Sequence, residues 1–480
     1  MKMTKQSPGN SLPKAPRYKE LPTAKPRAVR SGPELAELRV RLEVVTPILG
    51  GSHQTRAIDD VDVIRAPSVR GHLRFWWRAL YASQCSSAKE LYQRESSLWG
   101  RAATDDGGRS AVEIRVDVEG NPGGIDDSNI NLQQTPGAYA LWPARAEKEQ
   151  GRVVKPPSPR RKPGTTFQLT VKVGATAEAE VKNALRAWIL FGGYGGRTRR
   201  GLGSLKVLDD ASGWLPSAGT REALTSLFGI DIFAPPNKVP GDVPWFGGAA
   251  IHIGQVDRNA EKAWTTALDW LKEFRQGTTG DQGGRAREPS SDPMRPSISN
   301  WPEADKIRRI KNKTNAHAPR HNAIVAWPRA GFGLPIIGQF QTIDRQGKKN
   351  AYDEPGRFEI RWRAPKTDRP GEFYEHDRLA SSLIVKALPI VDDKGKFAFV
   401  PCALWLNRSY PSGGQVGLAR RNQGRPNEKE VEPATAAPFN SSLVANGDTA
   451  LFSALVNKAS LRQAFLDWLR EQKKTTVVAP

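Results

Sequence analysis

Cysteine and long apolar runs are both scarce in this sequence of 480 residues. Its 2 cysteines, Cys85 and Cys402, exclude a disulfide framework and any cysteine-rich metal site, and we expect them to pack as small apolar side chains. Mean hydropathy is −0.55, and apolar stretches such as 187–191 fall far short of the ~20 residues that cross a bilayer. The first residues lack the apolar segment of a secretory signal. We therefore expect a soluble, cytoplasmic protein with no membrane partner.

Negative charge is also in short supply. The chain has 72 Lys and Arg against 50 Asp and Glu, a net charge of +22, and a pI near 10.0. Such a basic chain attracts polyanions by releasing their counterions, which favours a nucleic-acid partner. Residues 1–33 hold six prolines and eight basic residues against Glu20, which predicts a disordered basic tail. Most of the excess charge lies beyond that tail.

Apolar periodicity divides the first half into an ordered series of elements. It predicts strands at 38–44, 112–118, 167–173 and 203–208, and helices at 68–82 and 177–191. The order strand, helix, strand, strand, helix, strand is that of a ferredoxin-like βαββαβ unit. We therefore predict an N-terminal domain over 34–212, with an insertion near 120–165.

The second half, residues 213–480, is less regular, and we predict a second α+β domain of the same kind there. Its insertions are expected near 277–299 and 411–445, where the sequence is polar and rich in glycine or proline. A capping box at Ser460 and Gln463 predicts the start of a terminal helix. Other predicted elements are strands at 250–255, 323–327, 336–342, 358–363, 379–388 and 396–406, and helices at 260–274, 449–458 and 461–473.

The first candidate binding motif is the basic and aromatic run at 65–78. Ser68 is placed to cap a helix on which Arg70, Arg74 and Arg78 recur every four residues and form one stripe. Three like charges at this spacing repel one another unless an anion neutralises them, which favours phosphate contact over a solvated face. The adjacent Trp76 and Trp77 fit the apolar core better than a base-stacking platform.

The second motif is the glycine-rich run at 191–204, with three arginines among six glycines. It lacks the GK[ST] ending of a nucleotide-triphosphate loop and follows a helix, so it predicts no nucleotide cofactor. Glycine amides can approach an anion closely, and the arginines would supply its counter-charge. The alternative is a turn with exposed arginines. The candidate residues are Gly195, Gly196, Arg197, Arg199 and Arg200.

An acidic loop and a basic, proline-rich segment offer further candidates. Asp59, Asp60 and Asp62, with His53 and His72 nearby in sequence, could serve metal-assisted or acid–base RNA cleavage, although a solvated loop is favoured. The segment 155–163 is expected to be stiff and disordered and to make secondary, nonspecific phosphate contacts. A solubilising linker is its alternative. The basic residues at issue in this segment are Lys155, Arg160 and Arg161.

Three runs carry a family resemblance: 46–51, 65–78 and 191–203. They resemble the RAMP superfamily and, within it, the first subunits of the Cmr complex, the type III-B CRISPR effector. Shorter similarities follow at 301–308, 333–335 and 378–383.

The resemblance implies a protein of two ferredoxin-like (RAMP/RRM-like) domains that holds CRISPR guide RNA and target RNA near the guide's 3′ end. It implies contacts with other Cmr/RAMP subunits in a ribonucleoprotein of antiviral defence, and no cleavage activity, cofactor or metal. The alternatives are a RAMP-type ribonuclease using the acidic loop and an assembly subunit with only protein contacts. The residues implied in RNA binding are Arg65, Arg70, Arg74, Arg78, Gly195, Gly196, Arg197, Arg199 and Arg200.

Overall fold

The structure is a computed structural model of the chain. It describes residues 34–102, 107–149, 152–235, 243–277, 286–288, 298–315, 319–321, 326–342, 352–366, 373–376, 378–392, 394–408, 414–419, 433–438 and 452–480. The predicted tail at 1–33 and most of the predicted insertions at 277–299 and 411–445 lie outside this part of the chain, as does most of the predicted strand at 323–327.

Helices and strands both occur throughout the described residues, which confirms the predicted α+β class. The helices are α1 Ala66–Tyr81, α2 Ala88–Trp99, α3 Ala138–Leu141, α4 Glu178–Phe191, α5 Arg221–Phe228, α6 Ala260–Gln276, α7 Pro302–Ile310 and α8 Leu461–Lys473. The strands of the first half are β1 Leu35–Val44, β2 Ile48–Leu49, β3 Glu113–Glu119, β4 Ile125–Asp126, β5 Glu147–Glu149, β6 Arg152–Lys155, β7 Arg160–Arg161, β8 Thr165–Gly174 and β9 Leu205–Val207. Those of the second half are β10 Trp245–Ile253, β11 Arg287–Glu288, β12 Ile298–Ser299, β13 Ile336–Gln339, β14 Arg357–Pro365, β15 Phe373–His376, β16 Leu383–Val391, β17 Phe397–Asn407, β18 Gln415–Ala419, β19 Pro433–Pro438 and β20 Thr476–Ala479.

The first sheet is antiparallel and has the order β3-β8-β1-β9. In its central strands, alternate residues such as Val40, Leu42, Phe167 and Leu169 are buried, as the period of two in the sequence predicts. Helices α1 and α4 pack against each other and cover this face of the sheet.

The second sheet repeats the same arrangement. Its order is β16-β17-β10-β20, again antiparallel, and α6 and α8 lie in the corresponding chain positions. One face contributes Ile384 and Leu388 to the core that contains α1 and α4, and the other contributes Leu383 and Val385 to a core with α6 and α8. Helices α1 and α4 are therefore enclosed between the two sheets, and the two halves share one apolar core.

Smaller strand groups complete the described chain. A further sheet has the order β13-β14-β18-β19, with β15 also paired to β14, and it encloses its own apolar cluster around Ile360 and Trp362. No helix in the described ranges is long and apolar enough to cross a membrane.

Three local predictions were wrong. Helix α1 begins at Ala66 after an N-cap at Arg65, not at a Ser68 cap, because Pro67 in the first turn favours helical φ and needs no amide partner. In the region 449–458 the described residues form a short 3₁₀ turn at Ser453–Leu455 instead of a helix. The segment 155–163, expected to be disordered, includes the end of β6 and all of β7.

Candidate nucleic-acid interface

The Gly-rich loop, residues 192–203, joins α4 to β9 and folds back on the segment 46–49. Its Gly203 amide donates to the Pro47 carbonyl at 2.9 Å, and the Gly196 amide donates to the Leu49 carbonyl at 2.6 Å. Gly203 has φ +65°, and a Cβ there would lie 1.8 Å from the Tyr194 carbonyl oxygen. Only glycine fits this position, so the backbone of the loop is fixed.

This backbone geometry corrects one predicted contact. The Gly196 amide is already bonded within the protein and is therefore not available to an anion. Gly195 has φ +87°, and a Cβ at this position would lie about 3 Å from atoms of Ile48 and Leu49. These two glycines allow close packing of the loop on the chain, and the arginines that follow carry its charge.

Two arginines of the Gly-rich loop lie in a short 3₁₀ turn, Thr198–Arg200, and Arg197 directly precedes it. Arg197 is exposed and has a left-handed backbone, φ +58°, a strained conformation for a residue with a side chain. The Arg199 guanidinium carbon lies 5.4 Å from the centre of the Phe75 ring on α1. Within the described residues, neither Arg197 nor Arg199 has a carboxylate partner.

Arg200 connects the loop to the second half of the chain. Its Nη1 donates to the Leu383 carbonyl of β16 at 2.9 Å, and its own carbonyl accepts from Trp264 Nε1 of α6 at 2.7 Å. Burial, and then the nearby charge of Arg275, lower the pKa of Arg200 to about 9. Burial also lowers the pKa of Arg199 and of Arg197, with a lesser contribution from another arginine in each case. The loop therefore concentrates positive charge, with Arg199 and Arg200 partly removed from solvent and Arg197 exposed.

Lys386 of β16 holds the start of this loop from the opposite side. It is fully buried, and its Nζ donates to the Gly192 carbonyl at 2.8 Å, with the Ile189 carbonyl at 3.4 Å. Burial lowers the pKa of Lys386 to about 7. Because these carbonyls end α4, the amine satisfies acceptors that the helix leaves open.

The arginine stripe of α1, Arg70, Arg74 and Arg78, faces elsewhere. Arg74 Nε donates to Glu95 Oε1 of α2 at 2.6 Å, and Arg78 binds the same oxygen. Glu95 is only 4% exposed, so the expectation that no acid balances the stripe was wrong. Arg70 instead lines a groove of about 700 Å³ formed with residues of β1, β3 and β8, among side chains of both signs.

The two predicted surfaces therefore meet only in part. At about 100° of rotation per residue, His72 lies about 160° around α1 from Arg74, and His72 faces Trp188 and Tyr194 at the loop. The start of α1 does reach the loop, because the Arg65 amide donates to the Tyr194 hydroxyl at 2.9 Å. The structure thus joins the backbone of Arg65 to the Gly-rich loop, whereas Arg74 and Arg78 are directed to Glu95 on α2.

The secondary phosphate contacts predicted at 155–163 are contradicted by burial. Arg160 and Arg161 are 3% and 6% exposed; Arg160 pairs with Asp126 at 2.6 Å, and Arg161 donates to the Asp59 and Gly123 carbonyls. They join β7 to its neighbours and are inaccessible to a polyanion.

Lys155, from the same segment, is exposed and pairs with Glu147 at 2.8 Å in the β5–β6 hairpin. The positive charge of Lys155 is therefore paired with a carboxylate on the adjacent strand.

The carboxylates of the acidic loop make local contacts with backbone amides and with Arg161. Asp59 accepts from the Val61 and Asp62 amides, and Asp60 lies 3.5 Å from Arg161. His72 is partly buried, and this desolvation lowers its pKa to about 4, so the imidazole is neutral near pH 7. In the part of the chain described, no group of three or more His, Cys, Asp or Glu could hold a metal ion.

Sequence reasoning missed the contacts that Glu95, Trp264 and Lys386 make with residues distant in the sequence. None of the three belongs to a recognisable motif. The one feature that could have pointed to Lys386 is its position as an isolated lysine in the apolar run 383–391. The prediction that Trp76 and Trp77 belong to the core was confirmed, since they are 3% and 1% exposed. Cys85 and Cys402 are likewise buried and free.

Part of this chain matches a known protein family. Residues 41–206 match the RAMP superfamily. A curated relative, the CRISPR system Cmr subunit Cmr1-1 of Pyrococcus furiosus, is 27% identical over 171 residues, which are 34% of this chain and 46% of that protein. The match thus spans about half the length of the relative.

Solved structures give a similar comparison. Apo Cmr1 from Pyrococcus furiosus aligns with 79% of this chain and 90% of its own, at 16% identity and a TM-score of 0.39. A chain of the type III-B Cmr-beta complex bound to cognate target RNA and AMPPnP aligns with 78% of this chain and 96% of its own, at 13% identity and a TM-score of 0.38.

Proposed function

We propose, from the match of residues 41–206 to the RAMP superfamily, that this chain is a non-catalytic RNA-binding subunit of a type III-B CRISPR effector. Its partners would be CRISPR guide RNA, target RNA and other Cmr/RAMP subunits in the cytoplasm, with its position near the guide's 3′ end. The curated relative is a Cmr subunit, and the Cmr-beta complex was solved with target RNA bound.

We interpret the two repeated sheet units as ferredoxin-like domains. Each has a chain order of strand, helix, strand, strand, helix, strand, and each sheet places the first and third of these strands in the middle. This matches the split βαβ arrangement. The Gly-rich loop then joins the last helix and last strand of the first domain.

The proposal rests on the guanidinium groups of Arg197 and Arg199. Both hold guanidinium groups that no carboxylate of the described residues neutralises, on a chain of net charge +22. Guanidinium groups bind phosphate oxygens through charge-assisted, often bidentate hydrogen bonds. Such contacts attach RNA by its backbone and leave the choice of sequence to base pairing.

The proposed site is smaller than the one predicted from the sequence. It consists of Arg65, Arg197, Arg199 and Arg200, because Arg74 and Arg78 already bind Glu95. The acidic loop has no part in it, since Asp59 is engaged by backbone amides.

The test is RNA binding by the full chain with Arg199→Gln. We expect affinity for unrelated single-stranded RNAs to fall about tenfold, since a charge-assisted contact contributes about 1.5 kcal/mol or more. The slope of log affinity against log salt should fall by about 0.7, the value for one phosphate contact on a single strand. Fluorescence anisotropy at several KCl concentrations measures both.

Arg470→Gln is the matched control, because Arg470 is exposed on α8 and pairs with Asp467. It removes the same charge away from the loop and should leave the salt slope unchanged. Equal binding by Arg199→Gln and wild type at every salt concentration would contradict the proposal. Cleavage of the RNA by wild type with Mg²⁺, lost in Asp59→Asn, would instead favour the ribonuclease alternative.

A further inference from the structure

Strand β3 is an open edge of the first sheet. It pairs with β8 on one side, and its other side faces no strand of the described residues. The other strands that end the two main sheets are protected: β9 and β20 have 3 and 4 residues, and β16 is buried at every residue except Val391. β3 has 7 residues, none of them fully buried. Its free side therefore presents backbone N–H and C=O groups to solvent.

The inner face of β3 is also incompletely covered. Val116 and Val118 stand opposite Leu169 and Phe167 of β8, which are both 0% exposed. Val118 itself is 37% exposed, and Val116 and Ile114 are only partly buried. The apolar core thus continues into a strip along β3 that the described part of the chain leaves open. Pairing with a further strand would remove this apolar area from water.

The outer face of β3 carries charges that already have partners. Arg115 Nε lies 2.9 Å from Asp117 Oδ2 within the strand. The two glutamates at the ends of the strand pair with arginines outside it, at 2.8 Å for Glu113 with Arg109 and 2.6 Å for Glu119 with Arg41. Charged side chains can protect an edge from pairing, but these are neutralised by their neighbours and repel an incoming strand little.

The backbone of this edge selects a polypeptide as its partner. A free strand edge alternates donors and acceptors at a spacing of about 3.4 Å per residue. Another strand matches that pattern, as in β-strand addition, whereas the sugar–phosphate backbone of RNA has no N–H groups to offer. The edge is therefore a protein-binding surface.

The apolar residues of β3 are complementary to those of a second β3. In an antiparallel pair with Val116 opposite Val116 of the other chain, Ile114 of each strand stands opposite Val118 of its partner. All of these residues lie on the inner face, so the two open strips cover each other. Cross-strand pairs of β-branched residues stabilise a sheet in this way.

The same register is complementary in charge. On the outer face it places Arg115 opposite Asp117 of the other chain, and by symmetry it does so twice. Opposite charges in directly facing positions stabilise strand pairing. At the two ends Glu113 faces Glu119, and the arginine bound to each carboxylate offsets this repulsion.

We propose that β3 pairs with β3 of a second copy of this chain, antiparallel and centred on Val116, so that two four-stranded sheets join into one. A second copy fits because the strand is its own complement in both apolar and charged positions. The net charge of +22 opposes association, but salt screens this repulsion. The inference is independent of the proposed function, because the arginines of the proposed RNA site all lie outside β3.

The test is sedimentation velocity of the full chain at concentrations up to about 100 µM, which detects micromolar association. The buffer contains about 0.3 M KCl, where the Debye length is between about 3 and 8 Å. We expect wild type to dimerise as its concentration rises. Arg115→Asp and Asp117→Arg each place like charges opposite one another at both pairs, and each should weaken the dimer about tenfold or more.

Arg39→Asp is the matched control. Arg39 is exposed on the same outer face and pairs with Glu37, but it lies on the central strand β1. The substitution makes the same change of charge away from the edge and should leave the dimer as tight as that of wild type.

The two edge variants are also complementary to each other. The Arg115→Asp chain has acids at both positions and the Asp117→Arg chain has arginines at both, so every facing pair in a mixed dimer is of opposite charge. An equimolar mixture should therefore form a heterodimer at concentrations where neither variant associates alone. Two misfolded chains would not recover association on mixing.

Three outcomes would overturn the inference. Wild type that stays monomeric over this range would leave the edge to a strand of another protein. A mixture that stays monomeric while wild type dimerises would place the dimer contact on another surface. Equal loss of the dimer in Arg39→Asp and Arg115→Asp would attribute association to the charge of the whole sheet face instead of its edge.

Discussion

Replacing Lys386 with methionine should remove a pH dependence from the stability of this protein. The amine is fully buried between β16 and the end of α4, and it bonds the Gly192 carbonyl at 2.8 Å. Its neighbour across the strand pair is Cys402, and burial raises the pKa of that thiol to about 12. Lys386 is therefore the group of this pair that titrates near neutral pH.

The size and sign of the effect follow from the pKa. Burial lowers the pKa of Lys386 from 10.5 to about 7, so between these pH values the unfolded chain binds a proton that the folded chain has released. The free energy of unfolding must then rise with pH across this window and stay flat below about 7. The slope approaches ~1.4 kcal/mol per pH unit, and the full window corresponds to about 5 kcal/mol.

The assay is urea unfolding followed by tryptophan fluorescence at intervals from pH 6 to pH 9.5. Subtracting the Lys386→Met curve from the wild-type curve isolates this group, because every other titration is common to both. We expect the difference to be constant up to about pH 7 and then to increase in favour of wild type. Lys272→Met, at an exposed position of α6, is the control. A difference that does not change with pH would refute the reasoning that the amine is desolvated.

Two further substitutions, with one control, test how the arginine stripe and the Gly-rich loop are held. Glu95→Gln removes the counter-charge of Arg74 and Arg78 and should lower stability by about 2 kcal/mol in a thermal melt; a loss of RNA affinity at unchanged stability would contradict this structural role. Gly203→Ala places a side chain at a position of positive φ, where its Cβ clashes with the backbone. It should lower the free energy of unfolding by about 3 kcal/mol or more. Gly71→Ala, in open space on α1, should instead stabilise the protein by up to about 1 kcal/mol. Equal effects of the two alanines in the same melt would show that the loop is less tightly fixed than described.

Local patterns in the sequence were enough for the elements that determine the fold. Alternation along 38–44 and 167–173 predicted central strands because each exposes one face and buries the other. The apolar face of 260–274 predicted α6, with Trp264, Leu268 and Leu271 buried. These signals are local, and the final packing did not override them.

The charged contacts could not be predicted in the same way. The stripe Arg70, Arg74 and Arg78 lacks an acid at helical spacing, and its counter-charge comes from Glu95 on the next helix. Arg160 and Arg161 look like any solvated basic pair until β7 places them between β2 and β4. Charge in a sequence indicates what a surface can attract, but only the folded chain decides which charges are already used.

Helix α6 and strand β16 have a consequence for anyone dividing this protein. Trp264, Leu383 and Lys386 lie in the second half of the chain and hold the Gly-rich loop of the first half. A fragment ending near residue 212 would keep every family motif of the first half and lose all three supports. Such a truncation would therefore be a poor proxy for the intact protein, even if it remained folded.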